Sequence, residues 1–167
     1  MANYRAAVIG CTGIGGLHAS GFVGLPHVEL VAGCDLSQDA LDQFKEQWKD
    51  TWPNIALYTD HQEMLANENL DIVTVATSDH RHADLVVNAA NAGVKGVFCE
   101  KPMATNLADA DRMVEAAARN NTILSIDHTR RFTSLWRHTK TELVDKGEIG
   151  PVRNIIGTLN GPRSMLF

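Results

Sequence analysis

Apolar and polar positions along this chain fall into two alternating rhythms. Short continuous apolar runs, which mark strands covered on both faces, occur at residues 4–10 (YRAAVIG), 28–34 (VELVAGC), 55–58, 71–76 (DIVTVA), 95–99 and 122–126. Between them lie stretches with three-to-four spacing of apolar residues. One helix opens on glycines over 13–23. Ser37 is placed to cap a second helix, whose Ala40, Leu41, Phe44 and Trp48 share a face. Asp60 with Glu63 gives a capping-box-like start to a third. An alanine-rich helix spans 83–92, with Gly93 where a C-terminal cap belongs. Asn106 caps a helix carrying Leu107, Ala110, Met113, Val114, Ala117 and Ala118 on its apolar side. Six strands joined by crossover helices predict an α/β fold built on a doubly wound parallel sheet, ordered 3-2-1-4-5-6.

The rhythm changes after residue 126. Residues 134–146 read as a helix closed by Gly147, the stretch GEIGP as a turn, and 152–159 as a strand. A lone strand cannot satisfy its own backbone. The expected organisation is therefore a nucleotide-binding domain over 1–126, with 127–167 as a crossover helix and the first strand of a second α/β domain cut short. On this reading the chain belongs to a longer protein.

Composition narrows the picture. With 44% apolar and 21% charged residues in 167, the chain is an ordinary globular one, and a net charge of −5 offers nothing to nucleic acid or an anionic membrane. No apolar run approaches the roughly 20 residues that span a bilayer. A strand begins almost at the N-terminus, leaving no room for a signal peptide, so the expected location is cytoplasmic. The odd cysteine count, Cys11, Cys34 and Cys99, argues for reduced, packed thiols rather than disulfides.

The candidate chemistry begins at residues 8–19, VIGCTGIGGLHA, where a strand runs into a glycine cluster and then a helix. In that context a glycine turn can hold a pyrophosphate on the free N–H groups of the helix. Gly10, Thr12, Gly13, Ile14 and Gly15 form this candidate Rossmann turn, with Thr12 standing where the fingerprint has its middle glycine. Asp35, 20 residues after Gly15, ends the second strand, where a carboxylate can accept both hydroxyls of an adenosine ribose. It would repel a 2′-phosphate, and its neighbour Leu36 offers no compensating cation, which favours NAD over NADP. The same two features also serve S-adenosylmethionine, and alone they do not separate the cofactors.

A second signal is FCEKPMA at 98–104. In open parallel sheets ligands bind outside the carboxyl ends of the strands, and Glu100, Lys101 and Pro102 end the fifth strand. A lysine there suits proton exchange with a substrate hydroxyl, with Glu100 positioning it and Pro102 restricting the backbone. A surface ion pair at a loop is the plainer alternative. His80, His82 and Asp79 sit at a helix start, where polar residues are ordinary, and no metal site is expected of them. His18 and His27 read as helix-face and turn residues, and the three tryptophans as packing residues.

The combination of GCTGIG, ATSDHRHAD, the EKP turn, RRF at 130–132 and GEIGPVRNI resembles the Gfo/Idh/MocA oxidoreductases over essentially the whole chain. The resemblance implies oxidation or reduction of sugars, polyols and related small molecules with NAD or NADP. It equates Lys101 with the family lysine that contacts substrate and nicotinamide, and Glu100 with its partner. Thr77, Ser78 and His82 correspond to the loop bordering the cofactor, and Arg130 and Arg131 to a basic pair, Arg131 being the one assigned to the cofactor. Ser78 replaces a frequent proline, and Asp127, His128 and Thr129 replace a frequent Gly-x-Asn. The family's second domain supplies an Asp, a His, most of the substrate pocket and the oligomer interface. The expected protein is thus a homo-oligomer at full length, and the chain by itself binds cofactor without turnover. A non-catalytic dinucleotide-binding module is the alternative.

Overall fold

A computed structural model describes residues 4–158. Among these, two compact units divide between Asp127 and His128.

The first unit is a six-stranded sheet. Its strands are β1 (Tyr4–Ile9), β2 (Val28–Cys34), β3 (Ala56–Tyr58), β4 (Ile72–Val75), β5 (Gly96–Cys99) and β6 (Ile123–Ile126). They lie in the order β3-β2-β1-β4-β5-β6, and every neighbouring pair is parallel. This is the doubly wound arrangement expected from the apolar runs. Successive side chains of a strand point to opposite faces, and β1 is buried on both. Ala6 and Val8 pack with Ala19 and Phe22 of α1 (Ile14–Phe22) and with Leu41, Phe44 and Trp48 of α2 (Gln38–Trp48). Ala7 and Ile9 face the other way, into a core completed by Met64 of α3 (His61–Asn67), by Ala83, Leu85, Val86 and Ala89 of α4 (His82–Asn91), and by Met113 of α5 (Leu107–Asn120).

The helix starts are held by the expected caps. The Ser37 hydroxyl accepts from the Ala40 N–H, Asp60 from that of Gln62, and Asn106 from that of Asp109. The apolar face predicted for α5 is partly wrong. Met113, Ala116 and Ala117 are buried, whereas Leu107 and Val114 are exposed. α5 is turned toward α4, to which Arg112 donates at Asp84 and Asn120 at Asn91, and this seam selects the buried stripe.

The second unit departs further from expectation. It opens with α6 (Thr129–Phe132). The predicted helix at 134–146 is α-helical only over α7 (Ser134–His138), then π-helical over Thr139–Asp145. The Thr139 and Thr141 hydroxyls donate to the carbonyls of Leu135 and Arg137, one turn back, and such back-bonding competes with the helical ladder. Residues 152–158 have no regular secondary structure, contrary to the predicted strand, whose last residue, Leu159, lies outside the described residues. An extended segment with no strand beside it has nowhere to place its ladder bonds. Leu135, Trp136, Ile155 and Ile156 of this unit are exposed. No helix among the described residues is long and apolar enough to cross a membrane.

Candidate active site

The chain leaves β1 toward α1 and leaves β4 toward α4, on opposite faces of the sheet. The carboxyl ends of these adjacent strands therefore open a crevice at the point where the connections diverge. A cleft of about 430 Å³ lies there, walled by Gly10, Thr12, Asp35, Leu36, Thr77, Ser78 and Arg81, among others. Clefts of this size suit small organic ligands.

Two glycines shape the turn that borders it. Gly10 has φ +91°, and a Cβ there would lie 2.3 Å from the Ala76 carbonyl oxygen, so the turns after β1 and β4 close on each other only because the side chain is missing. At Gly15 a Cβ would lie 1.6 Å from the Gly10 carbonyl oxygen, which brings α1 against the turn. Gly13, at the N-cap of α1, has no heavy atom within 4 Å of a Cβ position and provides no side-chain cap. Thr12 and Ile14 are exposed on the same turn.

Asp35 is anchored from two sides. Its Oδ2 accepts from the Cys11 N–H at 2.9 Å and its Oδ1 from the Ser37 N–H at 3.0 Å. The thiols around it are buried. Burial pushes Cys11 well above the usual thiol range and Cys34 up to about 12, with the Asp35 charge adding to both.

The turn after β5 is built on neighbouring strand ends. The Glu100 N–H donates to the Val75 carbonyl, and Asp127 N–H to that of Cys99. Glu100 Oε2 accepts from the Lys101 N–H at 3.1 Å. Lys101 itself is exposed, and its peptide bond to Pro102 is cis. His82 is 1% exposed, with Nδ1 2.8 Å from the Pro102 carbonyl oxygen and Nε2 3.0 Å from that of Thr77. The ring thus links the EKP turn to the β4 loop.

Of the predicted residues, Gly10, Thr12, Asp35, Thr77 and Ser78 meet in the cleft. Glu100 and Lys101 lie at the next strand end along the same edge. Arg131 lies on α6 of the second unit and is exposed. Sequence reasoning missed Arg81 and His61, which share the cleft with Asp35. Arg81 closes a short 3₁₀ turn after β4 (Asp79–Arg81), and the only signal for it was a cation beside that loop. Leu36, the sequence neighbour of Asp35, offers no cation, whereas Arg81 brings one to the same cleft. His61 is drawn below its ordinary value by desolvation, with Asp60 opposing.

Comparison with known proteins agrees with this geometry. Residues 4–128 match the family described as "Oxidoreductase family, NAD-binding Rossmann fold", the Gfo/Idh/MocA group. A myo-inositol 2-dehydrogenase of Thermotoga maritima is 37% identical over 146 residues, covering 87% of this chain and 42% of that protein. The crystal structure of a Lactobacillus plantarum myo-inositol 2-dehydrogenase superposes with a TM-score of 0.77 at 32% identity, over 89% of this chain and 42% of that one. A scyllo-inositol dehydrogenase of Lactobacillus casei, solved with NAD(H) and scyllo-inositol bound, gives 0.79 at 25% identity, again over 89% and 42%. The chain thus spans about two-fifths of the length of the curated relatives it matches.

Proposed function

This chain belongs to the Gfo/Idh/MocA oxidoreductase family, with its NAD-binding Rossmann fold, and from that premise we propose that residues 1–126 bind NAD as the cofactor domain of a dehydrogenase acting on a CH–OH group of a polyol or sugar. The observation that carries the reading is the cleft at the β1–β4 divergence, where the glycine turn and the anchored Asp35 carboxylate face one space.

The residues present fit such a cofactor. Open space at Gly13 leaves the N-terminus of α1 accessible to a pyrophosphate. Each Asp35 oxygen gives one lone pair to a backbone amide and keeps others for ribose hydroxyls. The same carboxylate disfavours a 2′-phosphate, so NAD is preferred to NADP. Thr77 and Ser78 border the path toward the β5 turn. When bound, nicotinamide supplies the carbon that accepts or returns hydride. Lys101 would hold the substrate hydroxyl and take or return its proton, while Glu100 fixes the turn by accepting from the Lys101 N–H. Arg131 is assigned to the cofactor side by the family resemblance.

The polyol class rests on the inositol dehydrogenases to which the chain is similar. Because these residues correspond to about two-fifths of such enzymes, we assign cofactor binding without turnover to the 167-residue chain alone, since holding both reactants together is a large part of the rate. Self-association is supported by the apolar residues exposed on the second unit, and a cytoplasmic location by three free, buried cysteines. Fluorescence titration with NADH tests the reading. Saturable binding of one NADH per chain, with no NADH formed from NAD⁺ and inositol, is expected. Absence of binding would overturn it.

A further inference from the structure

Behind the EKP turn lies a cluster of which the dehydrogenase reading uses only Glu100. His18 from the middle of α1, Glu100 after β5 and Asp127 after β6 bring one imidazole nitrogen and two carboxylate oxygens within 4.8 Å of one another. Their side chains are 5%, 13% and 16% exposed. The groups are firmly placed. The His18 ring packs against Phe98 with centroids 5.2 Å apart, and Glu100 and Asp127 are pinned by their own backbone bonds to adjacent strands.

Neither nitrogen of this buried imidazole has a hydrogen-bond partner among the described residues. Nε2 is aimed at the carboxylates, 3.4 Å from Glu100 Oε1 and 3.8 Å from Asp127 Oδ2. A charge-assisted hydrogen bond would be about 2.7–2.9 Å. Donors around an ion with bonds of about 2.0–2.2 Å and tetrahedral angles lie about 3.4 Å apart. Two largely buried carboxylates on one imidazole nitrogen also favour a positive charge among them.

We propose that His18, Glu100 and Asp127 form a binding site for a divalent transition-metal cation of the Zn²⁺ or Mn²⁺ class. One imidazole and two carboxylates are a donor set such ions accept, and three protein donors leave a coordination position for water or a substrate oxygen. Glu100 divides its oxygens between the two tasks. Oε1 faces the cluster while Oε2 accepts from the Lys101 N–H, so a bound cation would stiffen the base of the lysine turn.

The test uses Mn²⁺ alone on the 167-residue chain, followed by electron paramagnetic resonance for stoichiometry and by NMR for location. One Mn²⁺ per chain is expected, with resonances of His18 and Phe98 broadened first. Asp127→Asn, which is nearly isosteric, should weaken binding at least tenfold, and His18→Gln likewise. The wild-type broadening needs no variant, so a folding defect in either one does not blunt the test. No saturable binding, broadening centred elsewhere, such as on exposed His80, or full affinity in Asp127→Asn would overturn the proposal. A parallel NADH titration separates the two readings: intact NADH binding without Mn²⁺ binding removes the cation site and leaves the cofactor assignment standing.

Discussion

The Oδ2 of Asp35 accepts a hydrogen bond from the backbone N–H of Cys11 at 2.9 Å. The acid that ends β2 is thereby fastened to the glycine turn that ends β1, and its other oxygen holds the Ser37 N–H at the start of α2. One carboxylate thus positions both lips of the cleft. Asp35→Ala leaves two amides without their acceptor and should cost roughly 1–3 kcal/mol of stability, together with at least a tenfold loss of NAD⁺ affinity. Asp35→Asn, which accepts on only one side, should fall between. Urea denaturation gives the first quantity and ligand titration of the still-folded variants gives the second. An Asp35→Ala protein as stable as the parent would refute the bracing role.

His82 should behave as a strut rather than a ligand group. Its ring joins the carbonyls of Pro102 and Thr77 from a buried position. Removing it in His82→Ala opens a cavity and takes away the ring's N–H bond to a backbone carbonyl, a loss of about 2–5 kcal/mol. In the protein that remains folded at low temperature, affinity for NAD⁺ should fall far less than stability does. A variant with unchanged melting temperature but abolished NAD⁺ binding would return His82 to the cofactor.

The glycines of the turn should separate by mechanism. Gly10→Ala places a Cβ 2.3 Å from the Ala76 carbonyl oxygen at φ +91°, a clash with backbone that a rotamer change cannot relieve. Gly13→Ala meets nothing within 4 Å and has only the backbone to accommodate, φ +51° with ψ −109°, a glycine-favouring combination, at a strain of about 1–3 kcal/mol. Gly10→Ala is therefore expected to unfold the domain or destabilise it severely, and Gly13→Ala to lower the melting temperature by several degrees. Circular dichroism melts of the two decide this, and equal effects would contradict the geometry.

The buried thiols set an alkaline limit. Burial raises Cys34 and Cys99 to about 12, and Cys11 further still. An unfolded thiol ionises near 8.5. Above that pH the unfolded chain sheds protons that the folded one keeps, so stability falls with rising pH, by up to about 1.4 kcal/mol per pH unit for each thiol. Below pH 8 the contribution is complete. Denaturation midpoints between pH 7.5 and 10.5 should decline, and Cys34→Ala should flatten the slope. A pH-independent midpoint would show that these thiols are not protected.

The sheet was legible because strands covered on both faces are written as apolar runs such as DIVTVA, and because Ser37, Asp60 and Asn106 announce their helices locally. The glycine turn and Asp35 were legible as a spacing. What escaped depends on contacts between distant segments. Arg81 joins Asp35 in the cleft only through the β1–β4 adjacency. His82 resembled a loop residue, yet its ring is held by Pro102, 20 residues away. His18, Glu100 and Asp127 share no local pattern and meet only at strand ends. The stripe on α5 follows its seam with α4, and the π-helical turn at Thr139–Asp145 coincides with threonine hydroxyls bonded one turn back, neither of which periodicity encodes.

The most direct test of the cofactor assignment is calorimetric titration of the chain with NAD⁺ and, separately, NADP⁺. The account predicts one saturable NAD⁺ site per chain and at least tenfold weaker binding of NADP⁺, because the fixed Asp35 carboxylate meets the 2′-phosphate. Equal affinity for the two, or no heat from either, would contradict it.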